Sequence, residues 1–203
     1  MIITKEHLEK SMSYSQYSKL LHDLMEQGKT TGPNQSEEYL DYTKLNLQRM
    51  TRLDKTTELI PALKSALAGV RSPYTWLVLT EGWCGDAAQN LPVLHAVEKE
   101  CLAIAVRLLL RDENLDIMDQ YLTHGSRSIP KLICLQQDLS LNAGSKEIFT
   151  WGPRPEGAQN LMLELKKNNT PHDERSLHIQ KWYNTDKTLS TQKEILNLVS
   201  RLH

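Results

Sequence analysis

Two short apolar runs, Tyr74 to Thr80 (YTWLVLT) and Ala103 to Leu110 (AIAVRLLL), flank a single helical segment. Both are rich in β-branched, aromatic and aliphatic residues without polar alternation, the pattern of strands buried on both faces. Between them Ala88, Leu91, Leu94, Ala96 and Val97 recur at helical spacing from Cys84 to about Glu100. A strand, a crossover helix and a second buried strand make a parallel βαβ unit, which needs helices to cover its faces.

The following segments complete a mixed sheet. Asn114 to Leu122 carries Leu115, Met118 and Leu122 at helical intervals, with Asn114 placed to cap and Gly125 closing. Lys131 to Gln136 and Glu147 to Trp151 read as strands of a hairpin joined through Asn142 to Ser145, and Pro155 opens a helix with Ala158, Leu161, Met162 and Leu165. The expected fold is therefore α/β, with about four strands in one mixed sheet flanked by helices. A terminal helix follows, with Thr191 and Glu194 as a capping box before Ile195, Leu198, Val199 and Leu202.

Three more helices are expected ahead of residue 70. The first places Leu8, Met12, Leu20, Leu21, Leu24 and Met25 on one face and ends at Gly28. A second starts after Ser36, a capping residue followed by Glu37 and Glu38, and runs to about Met50. A third holds Pro61 in its first turn and repeats Leu59, Leu63, Ala66, Leu67 and Val70. The organisation is one decorated domain over 1–203: a helical extension (1–71), an α/β core (72–167) and a C-terminal extension with a helix (168–203).

Composition removes whole classes of function. Lys plus Arg (24) nearly cancels Asp plus Glu (25), so nothing draws the chain toward nucleic acid or an anionic membrane. No apolar run approaches the roughly 20 residues of a membrane span, and Met1 to Ser11 lacks an apolar signal core, so the expected location is cytoplasmic. Cys84, Cys101 and Cys134 match no metal-ligand spacing. Reduced thiols fit that compartment, and no cofactor is expected.

Cys84 carries the distinctive chemistry. It stands between a buried strand and the first turn of a helix, where unpaired amides favour a thiolate, while nearby Asp86 opposes ionisation by like charge. Cys101 and Cys134 read as small buried apolar groups. Arg111-Asp112-Glu113 reads as a solvated strand end, and His95 lies about three helical turns from Cys84, too far for a Cys-His pair.

The segment Trp83-Cys84-Gly85-Asp86-Ala87 resembles the thioredoxin motif Trp-Cys-Gly-Pro-Cys, in the same strand-to-helix setting. Pro92, eight residues after Cys84, stands where thioredoxins bend the active-site helix. Ser128-Ile129-Pro130-Lys131 resembles the thioredoxin loop whose proline is cis, an isomer found in only about 5–6% of X-Pro bonds. The resemblance covers residues 72–167 and implies a thioredoxin-like fold, with the Ile129 backbone beside Cys84 and able to pair with an extended substrate. The chain is also similar to a bacterial subgroup of thioredoxin-family proteins with a Trp-Cys-Gly-Asp-Ala-Ala site, sharing Trp151-Gly152-Pro153-Arg154-Pro155 and Lys181-Trp182-Tyr183.

Two departures bear on activity. The resolving cysteine of a dithiol thioredoxin is replaced by Ala87, which excludes the internal dithiol cycle, and the buried acid six residues before the first cysteine is replaced by Val78. One reading is a monothiol oxidoreductase: Cys84 attacks a protein or peptide disulfide, and a low-molecular-weight thiol acts as co-substrate to release it. Trp83, Gly85, Asp86, Ala87, Arg127, Ile129 and Pro130 would then form the binding site, with Arg127 as the cation supporting a thiolate or bound anion. The other reading is a non-catalytic binding module that holds a peptide or partner protein in the same groove.

Overall fold

The computed structural model describes residues 3–136 and 146–202. Among these residues, β1 (Tyr74–Thr80), β2 (Ile104–Leu110), β3 (Lys131–Gln136) and β4 (Lys146–Trp151) form one sheet in the order β2-β1-β3-β4. β1 runs parallel to β2 and antiparallel to β3, and β3 pairs antiparallel with β4 across a bulge at Cys134/Leu135. The expected βαβ unit and hairpin are both present, although the turn through Asn142 to Ser145 lies outside the described residues. Every residue of β1 is buried, as its unbroken apolar run requires.

Helix α5 (Gly85–Glu100) is the crossover between β1 and β2, with Cys84 at its N-cap and Pro92 inside it. Around it lie α2 (Tyr14–Glu26), α3 (Glu37–Thr56) and α4 (Pro61–Leu67), which bury Tyr17, Leu21, Met50, Leu63 and Leu67 in the same core as β1 and α5. The proline of α4 occupies the first helical position, where a missing N–H costs nothing. The N-terminal helices thus complete the core, as their apolar faces imply.

Several boundaries differ from the sequence expectation. The first helix is two: α1 (Lys5–Lys10) ends at Ser11, and α2 begins after a capping box in which Ser13 Oγ accepts from Gln16 N and Gln16 Oε1 accepts from Ser13 N. Between them Met12 bridges antiparallel to Leu108, exchanging both backbone hydrogen bonds (2.9 and 2.8 Å) and covering the edge of β2. α3 runs on to Thr56, and Ser36 makes no side-chain cap bond. The helix after β2 is a 3₁₀ turn (Arg111–Glu113) and one α turn, α6 (Leu115–Met118); Asn114 Nδ2 donates back to Leu110 O instead of capping.

The C-terminal third departs most. α7 (Glu156–Lys167) follows Pro155 as expected, but α8 (His172–Asp186) contains the Trp182-Tyr183 pair and has too weak an apolar stripe to announce itself. α9 (Leu189–Val199) starts before Thr191, so no capping box forms there. Thr191 Oγ1 instead donates to Asn90 Oδ1 (2.8 Å), and Glu194 accepts from Trp151 Nε1 and from the Glu156 amide, both at 2.7 Å.

Candidate functional site

The expected juxtaposition at Cys84 is present. The Ile129–Pro130 bond is cis, Cys84 Sγ donates to Ile129 O (3.3 Å), and Ala87 N donates to Sγ (3.4 Å). Ile129 N–H has no acceptor among the described residues. A second cis bond joins Gly152 to Pro153, and Gly152 (φ +106°) presses against the Pro130 carbonyl, which a Cβ would overlap. This contact brings the Trp151–Pro155 segment across the cis-proline loop and delivers Arg154 to the floor of the site.

Arg154 is the cation that faces the motif. Its Nη2 lies 2.6 Å from Asp86 Oδ2, while Asp86 Oδ1 accepts from Tyr183 Oη (3.0 Å). Asp86 is thus a buried first-turn residue, bound by groups from α8 and from the segment after β4. Burial pushes its carboxyl above the ordinary range, and Arg154 and Tyr183 pull it back. Arg127 does not serve Cys84: it forms a two-bond fork with Asp119 (2.6 and 2.8 Å) on the rim. Sequence reasoning quoted Arg154 only as part of a shared motif; its nearness to Asp86 depends on the packing of Gly152 against the Pro130 carbonyl, a contact between segments distant in sequence.

The thiol itself is enclosed. Cys84 is 8% exposed, and burial, reinforced by the Asp86 charge, pushes it up to about 12 against the opposing Ala87 amide and Arg154. Of the opposed influences at this helix start, desolvation wins. Ala87 is packed into the core. Cys134, opposite Trp76 and Phe149 in the sheet, and Cys101 at the end of α5 are buried free thiols, as expected of small apolar groups.

Above Cys84 opens a cleft of about 720 Å³ between α3 and α8. Trp83 forms part of its wall, held between Tyr39 of α3 (ring centroids 5.1 Å apart) and the Arg111 guanidinium, 4.9 Å from the indole centroid. Arg111 is thus not a solvated strand end: Asp112 binds it at 2.7 Å, and its Nη1 donates to Arg127 O (3.1 Å) in the cis-proline loop. Leu45 of α3 and Leu177 of α8, the latter 62% exposed, stand on the two lips. Among the described residues, Glu38, His172 and Asp173 group their donor atoms within 4.8 Å at this rim, all three exposed.

This arrangement of cis-proline loop, motif helix and mixed sheet agrees with a family match: a thioredoxin family model (Thioredoxin_9) matches residues 32–170. The chain belongs to the thioredoxin family. The match begins ahead of α3, so α3 and α4, unassigned by the sequence reading, fall within the matched region of this thioredoxin-family chain. No curated protein matches. Among solved structures, a protein of unknown function, PA1234 from Pseudomonas aeruginosa, is similar at 15% identity and a TM-score of 0.56, over 93% of this chain and 97% of that one. An HIV epitope-scaffold is similar at 16% identity and the same TM-score, over 95% of this chain and all of the other. These likenesses speak for the fold. No helix among the described residues is long and apolar enough to cross a membrane.

Proposed function

We propose that this thioredoxin-family chain is a binding module that holds an extended peptide segment of a partner protein in the cleft over Cys84. The observation that carries this reading is the state of the thiol: buried, pushed up to about 12, with its proton directed at the Ile129 carbonyl. At neutral pH the thiol is held protonated, whereas the thiolate is the form that attacks disulfides. The lining supports a peptide ligand. Ile129 offers a free N–H for strand-like pairing, Tyr39, Tyr42 and Trp83 offer flat apolar faces, and Leu45 and Leu177 offer exposed apolar lips. Cys84 is then a neutral strut that fixes the loop.

The monothiol exchange reading keeps one supporting observation, that Cys84 lines the cleft at a helix start. Partner capture with Cys84→Ser and Ile129→Asp separates the two. Binding retained in the serine variant and lost in the aspartate variant is the outcome expected here, together with an alkylation midpoint of Cys84 above pH 9. Cys84-dependent reduction of a glutathionylated peptide, with a midpoint below about 8, would overturn it.

A further inference from the structure

Of the four arginines among the described residues that line the cleft, three are paired. Arg111, Arg127 and Arg154 each hold a carboxylate at 2.6–2.7 Å. Arg49, on α3, has no carboxylate partner among the described residues: its Nη1 donates to Asn46 Oδ1 (2.8 Å), and Asn46 Nδ2 is tied to Gly82 O (2.9 Å). Arg49 is half-buried, and burial holds its guanidinium below the usual range, so its charge is poorly served by water alone. On the opposite wall, Gln180 of α8 accepts from Gln89 Nε2 (2.8 Å) through Oε1, which leaves Nε2 with no acceptor among the described residues.

These two donors converge. A Cβ placed on Gly85 would lie 3.0 Å from Gln180 Nε2 and 3.6 Å from Arg49 Nη1, so both groups close over the one α-carbon of the motif that bears no side chain. Asn46 Oδ1, 4.0 Å from that Cβ, is already engaged by Arg49, and the Asp86 carboxylate, which attracts Arg49, is bound by Arg154 and Tyr183. The acids lining the cleft are either bound, as Asp86 is to Arg154, or exposed at the rim, as Glu38 and Asp173 are. Two guanidinium groups thus face one carboxylate on the floor of the cleft.

Resting on the peptide-binding reading above, we propose that the bound segment is acidic, and that one of its carboxylates docks between Arg49 and Gln180 over Gly85. A carboxylate supplies acceptors to both donors at once and neutralises the unpaired cation. The group belongs either to an internal Asp or Glu or to a C-terminal carboxylate, which share this chemistry. Neither donor is part of the strand-helix motif: Arg49 comes from α3, inside the region the family model matches, and Gln180 from α8, beyond it.

Fluorescein-labelled hexapeptide libraries test this, each fixing Glu, Gln, Lys or Leu at one position, with free and with amidated C-termini, read by anisotropy. Glu at one position is expected to bind about ten-fold tighter than Gln, the advantage shrinking as salt rises from 50 to 500 mM. Arg49→Gln should erase the preference, and Arg49→Lys should restore part of it. Gln180→Leu, read the same way, should reduce it even if Arg49→Gln fails to fold. A preference confined to free C-termini assigns the terminal carboxylate, and one that survives amidation assigns a side chain. Peptides that bind without acid preference, or keep it undiminished in every variant, would overturn the carboxylate site while leaving the peptide reading intact. Binding by no library would remove both.

Discussion

At the start of α5, the exposed amides and dipole offer an anion about 0.3–1 kcal/mol, whereas burying a charge costs several kcal/mol unless it is paired. Burial outweighs what the Ala87 and Asp86 amides and the Arg154 cation offer Cys84, so it stays protonated. Glu81 obeys the same arithmetic. It is fully buried three residues earlier; Oε1 accepts from the Asp112 amide (2.9 Å), and Oε2 has no partner among the described residues. Burial raises its carboxyl above the ordinary 4.5, against the Thr31 hydroxyl and the Asp112 amide, which pull it back. The native state therefore keeps this proton to a higher pH than the unfolded chain. The stability it contributes is complete below about pH 4.5 and is lost as pH rises through the raised native value. Glu81→Gln, which mimics the neutral acid, should gain stability on the native chain as pH rises from 5 to 8 in urea melts. A constant difference across that range would show that Glu81 does not titrate there.

The walls of the cleft are decided by how α3 and α8 dock on the core: α3 buries Met50 beside α5, whereas the contact of α8 with α5 is polar. α8 joins α5 through Tyr183, whose hydroxyl donates to Asp86 and accepts from Asn90 Nδ2 (3.1 Å), and through the Gln180–Gln89 bond. Asn90 continues the network to Thr191 of α9. Tyr183→Phe keeps the ring but leaves Asp86 one donor short; it should cost about 1–3 kcal/mol by chemical denaturation and loosen α8 before the sheet, visible as faster amide exchange over 172–186. Loss of stability without local loosening would mean that packing, not the hydroxyl, seats the helix. α8 escaped sequence reading because its apolar face is short: Ile179, Trp182 and Tyr183 pack on Ala158, Leu161 and Met162 of α7, and its contacts with α5 are polar, which apolar periodicity does not report. The break between α1 and α2 was legible, since Ser13 and Gln16 stand in capping-box order, but the apolar spacing of Leu8, Met12 and Leu20 ran across it.

For the whole molecule, the helices before residue 71 are part of the core. Tyr17, Leu21, Leu63 and Leu67 are fully enclosed, and at roughly 1.5–3 kcal/mol each their burial approaches the entire margin of a typical domain. A chain beginning at residue 72 should lose its cooperative thermal transition and bind the dye ANS; a sharp transition would instead mark these helices as an appendage. The sequence by itself determined the parallel unit and the four strands to within a residue or so, because buried strands are written in adjacent residues; the cis Ile129–Pro130 bond beside Cys84 was implied by the resemblance to thioredoxins. It also excluded a dithiol cycle through Ala87. Tertiary structure alone decided that Cys84 is protonated, that Arg154 rather than Arg127 reaches the motif, and that Arg49 and Gln180 meet over Gly85. Those facts depend on desolvation and on charges carried by segments far apart in the chain, quantities that exist only once the helices have closed around the site.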